Sequence, residues 1–147
     1  MKFKRIIPFL WFDGNAFEAA KFYCKIFKKS KVLTASPMSV TYELDGQLFY
    51  ALNGGPHYKF NPAVSFFISC KDQKEVDFYW TKLLNGGKAN RCGWLTDKFG
   101  LSWQVVPEAL GKCLNGKDKI GAQRAMEAMM HMEKLDVKKL LDAYRGV

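Results

Sequence analysis

A duplicated unit constrains this chain more than any single motif does. Phe22-Tyr23 aligns with Phe78-Tyr79 and Trp11 with Phe67 at an offset of 56, while Gly46 aligns with Gly100 and Phe49 with Trp103 at an offset of 54. Self-similarity on this scale says more about fold than local propensity. In the first copy, residues 5–12 form an almost wholly apolar run that suits a strand covered on both faces. Asp13-Gly14-Asn15 makes a turn able to cap a helix, and Ala16, Ala19, Ala20, Tyr23, Ile26 and Phe27 then follow the helical period. Strands are expected over 31–36, 39–44 and 47–53, the last two joined by the hairpin signal Asp45-Gly46. The second copy begins with an apolar strand at 63–70 and a helix capped by Asp72, whose buried face carries Val76, Tyr79, Trp80, Leu83 and Leu84. Gly86-Gly87 ends that helix, and three extended pieces fit between Lys88 and Val106. The reading is α+β: two β-α-β-β-β modules, about 5–54 and 62–107, within one domain spanning 1–107. Two such modules set side by side would curve their sheets around a shared hollow, which is where a ligand is expected.

The stretch from Cys92 to Pro107 closes the second module as a hairpin with a glycine at its turn. Leu101, Trp103 and Val105 point one way along its last strand, and Ser102, Gln104 and Val106 the other. Beyond Pro107 the pattern becomes helical. A C-terminal extension over 108–147 is expected, with helices near 108–114, 120–132 and 135–144. Met126, Met129 and Met130 recur at helical spacing, as residues filling a core or an interface do.

Composition narrows the function classes. No apolar run approaches the roughly 20 residues that span a bilayer, which excludes a membrane partner of that kind. Lys2, Lys4 and Arg5 precede an apolar run, but it is short, contains Pro8 and stops at Asp13, so it reads as a first strand and not as a secretion signal. Cys24, Cys70, Cys92 and Cys113 form no CxxC pair, which points to free thiols in a reducing cytoplasm. The net charge of +9 comes from lysines scattered through the chain without a nucleic-acid motif. It reads as a solvated basic surface, with no nucleic-acid partner.

Several motifs together resemble one family. They are Pro8-Phe9-Leu10-Trp11-Phe12-Asp13-Gly14, Glu18-Ala19-Ala20-Lys21-Phe22-Tyr23, Ala51-Leu52-Asn53-Gly54-Gly55-Pro56-His57, the stretch from Cys92 to Pro107, and the tail segment from Gln123 to Met129. In these the chain resembles the PhnB-like branch, often labelled demethylubiquinone methyltransferase-like, of the vicinal oxygen chelate superfamily of glyoxalases, extradiol dioxygenases and bleomycin resistance proteins. The resemblance implies the paired-module fold of the glyoxalase/bleomycin resistance type, with C-terminal helices added. It also implies a homodimer, and a divalent metal held near the start of each module's first strand and within its last. Carried over, those positions are Pro8, Tyr50, Val64 and Gln104. None is a histidine or a carboxylate, so neither the usual metal nor any other cofactor is expected.

Strand alternation from those positions gives a hollow lined by Pro8, Leu10, Tyr50, Leu52, Val64, Phe66, Ser102 and Gln104. A polar loop from Asn53 to His57 is expected at its mouth, beside Trp94 and Asp97. The same alternation assigns Trp11, Phe49, Phe67 and Trp103 to packing against the helices. His57 is the one catalytic candidate, since imidazole can exchange protons near neutral pH, although a histidine at such a turn is more simply a surface residue. Asp13 and Asp97 sit at turns, where aspartate commonly satisfies backbone donors. The expectation is a small-molecule binding protein that encloses an apolar or aromatic ligand without metal. The alternative is a lyase or isomerase of the same superfamily. Methyl transfer lacks residue support, because Gly54-Gly55 runs into Pro56 and Gly86-Gly87 follows a helix, whereas the common S-adenosylmethionine site needs a glycine-rich strand-to-helix turn.

Overall fold

The computed structural model describes residues 4–147; residues 1–3, which include Lys2 of the basic run, lie outside it. The chain divides into two compact units, one ending at Lys59 and the other running from Phe60 to Val147. The three C-terminal helices thus belong with the second module.

In the first unit the elements are β1 (Phe9–Phe12), α1 (Ala16–Ile26), β2 (Lys31–Ala35), β3 (Ser39–Leu44) and β4 (Gln47–Asn53). They form a four-stranded sheet in the order β1-β4-β3-β2, with β1 parallel to β4 and the other pairs antiparallel. The apolar stripe of α1, made by Ala16, Ala19, Ala20, Tyr23 and Ile26, is buried. So are the strand residues that alternate toward one face: Leu10, Phe12, Val40, Tyr42, Phe49 and Ala51. Asn15 occupies the position before α1 but its side chain makes no cap bond. The free N–H of Ala16 is donated instead to Asn53 Oδ1 at 2.9 Å. Asn53 Nδ2 also donates to Pro37 O at 3.0 Å, so this expected pocket residue ties the end of β4 to the start of α1 and to the β2–β3 turn.

The second unit repeats the order with β5 (Ser65–Cys70), α2 (Gln73–Leu84), β6 (Lys88–Ala89), β7 (Trp94–Thr96) and β8 (Ser102–Pro107). Its sheet runs β5-β8-β7-β6, again with a parallel first pair. Asp72 caps α2 by accepting from the Glu75 N–H, and Glu75 Oε1 accepts from the N–H of Lys71, the residue before the cap, a displaced form of the capping box. The buried positions Ala19, Tyr23 and Ile26 of α1 correspond to Val76, Trp80 and Leu83 of α2 at an offset of 57. The offset of 56 expected from the matching Phe-Tyr pairs is therefore one residue short: the structural counterpart of Tyr23 is Trp80, and Tyr79 is only half-buried.

Helices α3 (Glu108–Leu114), α4 (Lys119–Met130) and α5 (Val137–Arg145) follow β8. Val106, Leu110, Leu135 and Leu140 form a buried cluster with Leu114, Met129 and Met132 packed against it. Met126 and Met130 are exposed, so of the three tail methionines only Met129 fills a core. The connection between α4 and α5 is pinned at both ends. Gln73 donates to Leu135 O at 3.1 Å and accepts from the Val137 N–H at 2.7 Å, while the Cys92 and Gly93 N–H groups donate to Met132 O and Glu133 O. Gly93 has φ of +83°, and a Cβ there would stand 2.8 Å from Val105 O and 3.0 Å from the Leu135 side chain, so only glycine fits.

Candidate functional site

Strand register decides which side chains share the open face of each sheet. Phe9 pairs with Tyr50 and Trp11 with Leu52, which places these four on one face and Leu10, beside Ala51, on the buried α1 face. In the second unit Ser65 pairs with Ser102, Phe66 with Trp103 and Phe67 with Gln104. Phe66 lies against the Trp103 ring, centroids 5.6 Å apart, and Trp103 is buried. The expected assignment of Leu10 and Phe66 to the open face, and of Trp11 and Phe67 to the helix side, is corrected by this register. Phe49 and Trp103 do face inward as expected, both being buried. In both modules the positions counted back from the Phe-Tyr pair, Pro8 and Val64, fall one residue out of phase with the strand residues that face outward, Phe9 and Ser65. With a period of two, that single residue reverses the face of every residue assigned from them. The expected covering of β1 on both faces is also not what the unit shows, since Phe9 is 61% exposed.

The remaining expected residues fall as follows. Pro8 is half-buried and its carbonyl accepts the Tyr50 N–H at 2.9 Å. Val64 precedes β5 and is exposed. His57 is exposed in a turn of the β4–β5 connection. That connection folds back over Trp11, whose indole donates to Gly55 O at 2.9 Å and whose ring meets the edge of Tyr58 at 5.0 Å. Asp97 is buried at the β7–β8 turn, where one carboxylate oxygen accepts from the Phe99 and Leu101 N–H groups and the other from the Trp103 indole. It is a structural anchor. Ser102, also buried, has a hydroxyl without a hydrogen-bond partner.

Of the expected residues, Trp94 and Gln104 meet in a cleft of about 730 Å³ in the second unit, a size typical of small-molecule sites. Its floor is the open sheet face: Phe67, Trp94, Gln104 and Val106, with Ser69 and Cys92 at one end. Its wall is α3, which presents Glu108, Gly111 and Lys112, with Asn115 at the helix C-terminus. Leu110 and Leu114 of α3 and Met129 of α4 also line the cleft while packing in the C-terminal cluster, and Cys113 is buried. Burial raises the Cys113 thiol above its ordinary range, and the same cause, reinforced by Glu75, pushes Cys70 up to about 12. These two are structural thiols.

Three features of the cleft set its chemistry. Gln104 Nε2 donates to Ser65 Oγ at 3.0 Å, which fixes the amide and leaves Oε1 as an acceptor. Asn115 Nδ2 donates to Gly111 O at 2.9 Å, so Asn115 Oδ1 is likewise free to accept. Gly111 has no heavy atom within 4 Å of where its Cβ would be and no left-handed backbone. Glycine inside a helix costs about 1 kcal/mol relative to alanine, and here neither crowding nor backbone geometry demands it. The sequence contains the signal for this wall, a Glu-x-x-Gly-Lys-x-x-Asn stripe, but its meaning depends on where α3 docks.

The donor set does not fit a divalent metal. The register moves the first-strand positions from Pro8 and Val64 to Phe9 and Phe67, but proline, valine and phenylalanine all lack a donor, and Tyr50 and Gln104 offer at most weak ones. Among the described residues no three His, Cys, Asp or Glu side chains are grouped so as to hold an ion.

Comparison with known proteins adds the family. A family model described as 3-demethylubiquinone-9 3-methyltransferase matches residues 4–106. The PhnB protein from Bacillus cereus has a similar structure, with TM-score 0.65 and 29% identity over 71% of this chain and 99% of that one. A protein from Pseudomonas aeruginosa gives TM-score 0.59 and 19% identity over 71% of this chain and 97% of its own. A glyoxalase-related enzyme from Fulvimarina pelagi gives TM-score 0.50 and 11% identity, covering 71% of this chain and 88% of that one; these last two show the fold alone. No curated protein sequence matches the chain.

Proposed function

The chain belongs to the family described as 3-demethylubiquinone-9 3-methyltransferase, the PhnB-like branch of the vicinal oxygen chelate superfamily, and from that membership we propose that it is a small-molecule binding protein taking an apolar or aromatic ligand without the family's usual metal. The observation that carries the proposal is the cleft of about 730 Å³, which sets Phe67, Trp94, Val106, Leu110, Leu114 and Met129 around the Gln104 amide that Ser65 holds in place. Trp94 and Gln104 are the proposed binding residues of the second unit, and Tyr50 and Leu52 are those of the open face of the first. Methyl transfer is not part of the proposal, because neither Gly54-Gly55, which runs into the Pro56 turn, nor Gly86-Gly87, which follows α2, joins a strand to a helix N-terminus.

The proposal includes a homodimer in the cytoplasm. All four cysteines are free, the state a reducing compartment maintains, and no helix among the described residues is long and apolar enough to cross a membrane. Native mass spectrometry of freshly purified protein tests the whole reading, because it reports subunit count, bound metal and co-purified ligand together. The expected result is a dimer that carries a small organic molecule and no stoichiometric metal. Ligand binding then raises the melting temperature by mass action whether or not a chelator is present. A stoichiometric divalent ion, or stabilisation by ligand that a chelator abolishes, overturns the metal-free reading.

A further inference from the structure

The family match ends at residue 106, yet the wall of the cleft begins at Pro107. The floor is therefore family sheet, and the wall is an addition made by the C-terminal helices. Beside Leu110, Leu114 and Met129, the wall combines an open glycine, an anion at Glu108, a cation at Lys112 and the unused acceptor of Asn115, opposite a floor that contributes the unused acceptor of Gln104. Opposite charges four residues apart on one helix leave the wall with no net charge to attract an ion. The two amide oxygens ask for donors. Phe67 and Trp94, one exposed and the other half-buried, supply aromatic surface to a flat partner.

From this we infer that α3 converts the open sheet face of the second unit into a site for a flat, uncharged aromatic molecule bearing hydroxyl groups, and that Gly111 determines its specificity by keeping the wall open. The ring lies on Phe67 and Trp94, and the hydroxyl hydrogens are donated to Gln104 Oε1 and Asn115 Oδ1. A Cβ at position 111 meets no heavy atom within 4 Å, so a larger side chain there is expected to project into ligand space. This deepens the binding reading above and rests on it.

The test uses the full chain, labelled with ¹⁵N, and titrates it with 2-naphthol, with naphthalene and naphthalene-2-carboxylate as controls. Saturable shifts of the Trp94 indole and Gly111 amide signals are expected with 2-naphthol, with at least tenfold weaker binding of both controls. Gly111→Ala is expected to raise the melting temperature, because alanine favours the helix, and Gly111→Leu to weaken 2-naphthol binding at least tenfold in a protein that melts no lower than the wild type. If Gly111→Leu fails to fold, Gln104→Leu serves on the same cleft and is expected to weaken binding by a similar factor. Unchanged affinity in the folded variants, or shifts confined to first-unit signals such as the Trp11 indole, overturns this site while leaving small-molecule binding intact. Tighter binding of the carboxylate, or no binding of 2-naphthol, overturns the ligand class. If the native mass spectrum of that same preparation also shows no co-purified molecule, the binding reading falls with it.

Discussion

Asp97 carries more of the fold than its place in a loop implies. Its carboxylate satisfies two backbone donors and the Trp103 indole in a buried setting, so Asp97→Ala strands three donors at once. We expect it to destabilise the protein by about 3 kcal/mol, a loss read from urea unfolding and too large for an exposed turn residue. Asp77 behaves differently, being half-buried at the start of α2. Donation from Gln73, reinforced by Lys134 at 3.0 Å, holds its carboxyl below the usual aspartate range. A depressed value in the folded state means that its contribution is fully present above the unfolded value of about 3.9 and is lost as pH falls through the folded value. Melting temperatures measured from pH 6 down to pH 2 should therefore fall less steeply for Asp77→Asn than for the wild type over the lower part of that range. The effect is modest because water screens the pair. Thiol reactivity follows burial: brief alkylation of the native protein at pH 8 should modify Cys92 while sparing Cys70 and Cys113, as read by peptide mass spectrometry.

At the level of elements, the docking of the α4–α5 connection depends on two positions with no apolar side chain, Gln73 and Gly93. Gln73→Ala breaks bonds to Leu135 O and the Val137 N–H, and Gly93→Ala drives a methyl into Val105 O and Leu135. Either change should cost about 2 kcal/mol and accelerate hydrogen exchange at 132–137 while β3 and β4 stay protected. Most elements were legible in the sequence. Residues 39–44, 47–53 and 108–114 form a strand, a strand and a helix with the expected ends, because a hairpin signal and a proline mark those boundaries. The faces of β1 and β5 were not legible. They were counted from a dipeptide in the helices, across a turn whose length the sequence does not fix, and a period of two turns a one-residue error into the opposite face. The α1 cap was missed for a related reason: Asn15 looks local and sufficient, whereas the bond comes from Asn53, distant in sequence. The cleft wall escaped because nothing in α3 says which sheet face it will cover.

For the molecule as a whole, the two units predict where a protease first acts. The connection from Gly54 to Val64 has no regular structure, and Lys59 in it is exposed. Limited trypsin digestion should cut after Lys59 early and release fragments close to the two units, seen by intact mass. The wall's position outside the matched segment also gives the molecule a division of labour between sheet and tail. Residues 4–106 are the segment the family model matches, whereas α3 lies beyond it, makes no strand pairing and lines the cleft. Mutations along Glu108, Gly111, Lys112 and Asn115 can therefore retune what is captured while the scaffold goes on folding, and the tail is the natural place for laboratory evolution to begin.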